Sequence, residues 1–84
     1  MSTKKNKITI ERNLFIFFKK KNNKLKLKDI KKVNLIKSGL IDSLDILDLT
    51  SFIKKKFKTN LDISDHKILK QYEKFEAIIK LIKN

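Results

Sequence analysis

The sequence predicts an all-α fold, a small bundle of three main helices plus one short helix, with a long first loop. Three observations carry this. Apolar residues recur at helical spacing in three separate stretches. The chain has no proline and a single glycine, Gly39, so little interrupts a helix. Its 84 residues suffice for one domain, 1–84, and not for two.

The first helix is expected over about Lys7 to Lys20. Ile10, Leu14, Phe17 and Phe18 fall at i, i+4, i+7 and i+8, on one face. Lys19 to Lys21 suit the negative end of its dipole. Before it, residues 1–6 read as a flexible basic N-terminus. After it, Asn22 to Leu40 is long and mostly polar, with Leu25, Leu27, Ile30, Val33, Leu35 and Ile36 scattered along it. Leu25 and Leu27 alternate with lysines, but a lone strand would have no partner. The stretch therefore reads as an ordered loop whose apolar residues dip into a helical core, and a loop this long commonly carries function.

The second helix is expected from about Ser43 to Lys56. Ile46, Leu49, Ile53 and Phe57 form its core stripe, and Leu44 and Leu47 lie on another face. Asp42 or Ser43 suits the N-cap, and Asp45 complements the positive end of the dipole. Leu61 and Ile63 read as core anchors in the connector that follows. Ser64 or Asp65 caps a short helix ending at Leu69 or Gln71. The last helix spans about Glu73 to Lys83, with Phe75, Ile78, Ile79 and Ile82 on its buried face.

Composition excludes several classes of function. One glycine cannot build a P-loop or a dinucleotide-binding turn. The longest apolar run, Leu14 to Phe18, is far too short for a membrane span. Glu11 and Arg12 break the only stretch that resembles a signal peptide, so the expected location is cytoplasmic. The absence of cysteine fits a reducing compartment, and any thiol chemistry would need an imported thiol. The net charge of +13 suggests nucleic acid or an anionic membrane as a partner. Yet the basic side chains are lysines apart from Arg12, so specific base readout is poorly supplied. Solvated surface is the simpler reading of most of these lysines.

Catalytic constellations are sparse. His66 is the only histidine, and it reads as a surface residue in a helical first turn rather than as part of a triad. With no cysteine, a zinc site would need several carboxylates. Asp42, Asp45 and Asp48 lie along one helix with no calcium-binding loop around them, so no metal site is expected. Nonetheless these aspartates form an acidic island: no basic residue occurs between Ser38 and Ile53. Ser43 stands at its head, where a helix N-terminus favours phosphate. On position alone the simpler reading of Ser43 is an N-cap and nothing more.

The stretch S-G-L-I-D-S-L-D-I-L-D-L-T-S-F-I-K-K-K-F resembles the attachment region of the acyl carrier protein family, which includes acyl, aminoacyl, D-alanyl and peptidyl carriers. The hallmark is Gly-x-x-Asp-Ser-Leu opening the second helix, matched by Gly39, Asp42, Ser43 and Leu44. Phe57 matches the phenylalanine that usually closes that helix. The specific likeness spans Leu35 to Phe57; size and helix order extend it over most of the chain.

The resemblance implies an acyl-carrier-like bundle that is monomeric and catalyses nothing itself. It implies phosphopantetheine on Ser43, donated by coenzyme A through a phosphopantetheinyl transferase and carrying an acyl or aminoacyl thioester. The further partners implied are a loading enzyme and downstream transferases or synthases, with no specific nucleic acid and no membrane span. Asp42, Leu44, Asp45, Leu47 and Asp48 would form the docking surface. The chain departs from the pattern at Lys54-Lys55-Lys56, where many carriers are acidic, which points to a specialised biosynthetic pathway with dedicated enzymes. Two readings stand beside this one. One is a small basic helical protein binding nucleic acid or anionic membrane. The other is a carrier-like structural subunit whose Ser43 is never modified.

Overall fold

The computed structural model describes residues 6–83. The chain forms α1 (Lys7–Lys21), α2 (Leu27–Ile30), α3 (Ser43–Phe57), α4 (His66–Gln71) and α5 (Phe75–Lys83). The fold is all-helical, as the periodicity predicts, with one more short helix than expected. Residues 1–5 of the expected flexible N-terminus lie outside the described residues. Asn6 lies within them and caps α1, its Oδ1 accepting from the Ile8 N–H at 2.8 Å.

The additional helix, α2, sits inside the segment expected to be a loop. Leu27 and Ile30 fall on one face, and Ile30 is fully buried while Leu27 packs at the core's edge. The Lys26 carbonyl accepts from both Asp29 and Ile30, which closes the turn. Four residues give little signal to a periodicity argument, so tertiary burial decides the conformation here.

The remaining loop is ordered by specific bonds. Asn34 Oδ1 accepts from the backbone of Ile36 and Lys37, and its Nδ2 donates to Glu73 Oε1 at 3.2 Å. The Leu35 N–H donates to the Glu73 carbonyl at 2.7 Å, tying the loop to the turn between α4 and α5. Leu35 and Ile41 are buried, and the Ile41 N–H donates to the Leu35 carbonyl, so the chain between them closes a small ring. Gly39 makes that reversal at φ +82°, a left-handed conformation that costs an L-residue roughly 1–2 kcal/mol.

One core runs through the bundle. Ile10, Leu14 and Phe18 of α1 meet Leu49, Ile53 and Phe57 of α3 and Phe75, Ile78, Ile79 and Ile82 of α5. Each such side chain contributes roughly 2 kcal/mol of burial. Phe18 packs edge-on against Phe75 at 6.1 Å, and Phe17 tilts against Phe52 at 5.3 Å, joining α1 to both neighbours. Leu61 is buried and Ile63 partly so, in their anticipated anchor roles.

Three boundaries differ from the sequence reading, the shift of the α3 end from Lys56 to Phe57 among them. The last helix begins at Phe75 rather than Glu73, because Glu73 and Lys74 still donate to Lys70 and Gln71 in the turn leaving α4. The first helix extends to Lys21. Tyr72, at the end of α4, is fully buried with its hydroxyl 2.6 Å from Thr50 Oγ1. Thr50 has one proton, and it goes to the Ile46 carbonyl at 2.8 Å, so Tyr72 donates and Thr50 accepts. This bond fixes α4 against the middle of α3.

Candidate functional site

Asp42 is the N-cap of α3, and Ser43 is the first helical residue. Asp42 Oδ1 accepts from the Asp45 N–H at 2.9 Å, and Asp45 Oδ2 accepts from the Asp42 N–H at 3.0 Å. The pair satisfies two backbone donors that the helix leaves open, an arrangement worth about 1 kcal/mol per cap. Of the two residues suited to the cap, the structure therefore uses the aspartate. The side chain of Ser43 is exposed and is not the capping group.

The buried face of α3 consists of Leu49, Thr50, Ile53 and Phe57, with Ile46 half-buried at its edge. Helical geometry turns Leu44, Leu47, Asp48 and Ser51 away from it. Leu44 is 71% exposed and Leu47 53% exposed. An apolar side chain left this open next to charged ones marks a contact surface when it clusters, and here two of them lie between Ser43 and Asp48. Asp42 and Asp48 are exposed beside them.

Asp45 stands apart from its neighbours. Its side chain is only 17% exposed and is paired with Lys21 Nζ of α1. The Lys21 hydrogen bond, followed by that from the Asp42 backbone, holds the Asp45 carboxyl below its ordinary pKa. Lys21 is correspondingly raised, chiefly by the bond to Asp45, with partial desolvation opposing it. Asp48 and Asp42 also act on Lys21 electrostatically. The acidic island thus has one basic side chain reaching into it from another helix. Nothing local in the sequence announces this pairing, because Lys21 and Asp45 meet only when α1 docks across α3.

Of the five residues assigned to docking, Asp42, Leu44, Leu47 and Asp48 share one accessible surface, and Asp45 faces α1. Phe57 is the last residue of α3 and is buried, so it closes the helix onto the core. The three lysines before it are exposed at the opposite end from Ser43, about 20 Å away at the helical rise. His66 is exposed as the first residue of α4. It borders a shallow groove with Ile36, Leu69, Lys70 and Glu73. Among the described residues no three His, Asp or Glu side chains gather as metal ligands, and no helix is long and apolar enough to cross a membrane.

No protein family, curated protein or solved structure matches the chain.

Proposed function

We propose that the protein is a carrier whose Ser43 accepts phosphopantetheine and whose exposed α3 start docks on partner enzymes. The observation that carries this is the division of labour at the head of α3. The cap is supplied by Asp42, so a structural duty does not account for Ser43, whose exposed hydroxyl sits beside the positive end of the helix dipole. The resemblance of Gly39, Asp42, Ser43, Leu44 and Phe57 to the acyl carrier pattern gives that hydroxyl a role.

The residues present fit such a group. Ser43 lies on the surface, so an arm attached there can swing into a partner's active site. In the modification Ser43 Oγ forms a phosphoester, the pyrophosphate bond of coenzyme A breaks, adenosine bisphosphate leaves, and the serine proton passes to solvent through the transferase. When attached, the arm supplies the thiol that the chain lacks, and an acyl or aminoacyl cargo is held on it as a thioester. Leu44 and Leu47 offer apolar contact, and Asp42 and Asp48 select partners with basic surfaces while repelling acidic ones. The chain contributes presentation, not bond-breaking.

Intact-mass measurement after incubation with coenzyme A and a broad-specificity phosphopantetheinyl transferase tests this. The expected result is one added phosphopantetheine on the wild type and none on Ser43→Ala. Folded wild type that stays unmodified, or a Ser43→Ala chain that is still modified, sinks the assignment.

A further inference from the structure

Two further apolar side chains are open to solvent, and they lie on α1. Ile8 is 66% exposed and Ile16 50% exposed. At about 100° per residue, the side of α1 facing away from Ile10, Leu14 and Phe18 is occupied by Ile8, Arg12, Ile16 and Lys19, flanked by Phe15 and Lys20. Phe15 is half-buried, with the Lys19 ammonium 5.5 Å from its ring centre. Glu11, the one acidic residue of α1, lies on another side and pairs with Lys31 Nζ at 2.8 Å. The outer face of α1 therefore mixes aliphatic and basic side chains with no acid among them. Its basic character continues onto α3, where Lys55 and Lys56 border a groove shared with Thr9 and Asn13 of α1.

We infer that this face of α1 seats the protein on an anionic phospholipid surface. The charge of the chain, +13, supplies the attraction, and basic residues near such a surface each strengthen binding about fivefold. The isoleucines select lipid over nucleic acid. A phosphate backbone offers them no partner, whereas the boundary between headgroups and acyl chains buries them while the longer basic side chains reach up to the phosphates. The same net charge opposes pairing between copies of the chain. Lys21, which pairs with Asp45, lies on the inner side of α1, so the acidic island sits behind that helix and off the proposed face.

Co-sedimentation of the full chain with vesicles of phosphatidylglycerol and phosphatidylcholine, and with phosphatidylcholine alone, tests the inference at low and high salt. Binding is expected to the anionic vesicles alone and to weaken with salt. Ile8→Ser/Ile16→Ser and Arg12→Gln/Lys19→Gln should each weaken it about tenfold or more. Lys24→Gln/Lys26→Gln removes the same charge from an exposed site elsewhere and should weaken it no more than about threefold. All substituted positions are solvent-exposed, and circular dichroism checks that each variant folds. Three outcomes overturn the inference: no anionic-vesicle binding, equal losses in the α1 and control variants, or an isoleucine variant that binds as the wild type does. The last would mark a simple polycation, with nucleic acid as its better ligand. Ser43→Ala should bind vesicles unchanged, so this result stands or falls separately from the carrier assignment.

Discussion

Among the described residues, four large apolar side chains are left exposed, two on each of two helices. On α3, Leu44 and Leu47 are set among aspartates. On α1, Ile8 and Ile16 are set among an arginine and lysines. The apolar content is alike and the charge is opposite. Burial of two aliphatic side chains provides affinity for many surfaces, but the surrounding charge decides which surface can approach. On the proposed readings, one face suits basic protein partners and the other an anionic phospholipid surface. The +13 of the chain is not spread evenly, since it spares the start of α3.

The sharpest way to break this comparison is to change the sign of one face and read both. Asp42→Asn/Asp48→Lys keeps a capping side chain while removing or reversing the exposed charge. Transferase-catalysed modification of Ser43 should fall roughly a hundredfold in kcat/KM, because like charges now meet across the contact. Binding to anionic vesicles should hold or tighten. If modification proceeds at the wild-type rate, the acidic face is not the docking surface.

The two faces also differ in what supports them. The outer face of α1 needs only α1. The acidic face is delivered by the loop that ends at Asp42, and the loop turns on Gly39. A Cβ at Gly39 meets nothing within 4 Å, so Gly39→Ala tests backbone conformation alone. It should cost about 1–2 kcal/mol in urea unfolding. Amide exchange should accelerate over residues 35–42 and leave α1 nearly unchanged. Equal acceleration in both would show that the loop is not a separate support.

Tyr72→Phe is a gentler probe, of the packing of α4 against α3. It removes the donor to Thr50 but leaves the Thr50 bond to Ile46, so the expected loss is about 1 kcal/mol. Burial raises the Tyr72 hydroxyl above its ordinary 10.0, and the Thr50 bond opposes this only partly. A raised pKa contributes stability that is complete below the unfolded value and is lost as pH climbs through the folded one. The wild type should therefore weaken above about pH 10, and Tyr72→Phe should lose less over that window.

The main helices were legible because each carries a run of apolar residues at helical spacing. Phe75, Ile78, Ile79 and Ile82 are an example: four residues at i, i+3, i+4 and i+7, all buried. The start of α3 was legible too, since Asp42 and Asp45 are a local capping pattern. What stayed hidden depends on distant partners. Ile41 and Tyr72 belong to no periodic stripe, and their burial follows from how the loop and α4 fold onto the bundle. The outer face of α1 was hidden for a related reason. Apolar residues surround that helix, and the stripe of Ile10, Leu14, Phe17 and Phe18 read from spacing left open where Ile8 and Ile16 go. Lys21 looked like a lysine suited to the end of a dipole, and its reach into the acidic island needed the third dimension.

That reach gives the smallest expected effect and the one with the most distinctive sign. Lys21 and Asp45 link the two helices, since one partner lies on each. The pair is partly exposed, so Lys21→Ala should cost less than about 1 kcal/mol. Yet it removes the cation that competes with a partner's basic groups for the island, and modification of Ser43 should rise by roughly twofold to fivefold. Carboxyl titration followed by NMR supplies the check. In the wild type Asp45 should titrate below its ordinary 3.8; in Lys21→Ala it should move upward, stopping short of that value because the Asp42 N–H still donates. A depressed carboxyl contributes stability that is present above the unfolded pKa and lost as pH falls through the folded one. For Lys21, raised above 10.5, the contribution is lost as pH rises through its folded value. The pair therefore acts between about pH 4 and pH 10. A slightly less stable protein that is loaded faster is a result that damage to the fold cannot produce. Slower loading instead would make Lys21 a support for the docking surface rather than a competitor for it.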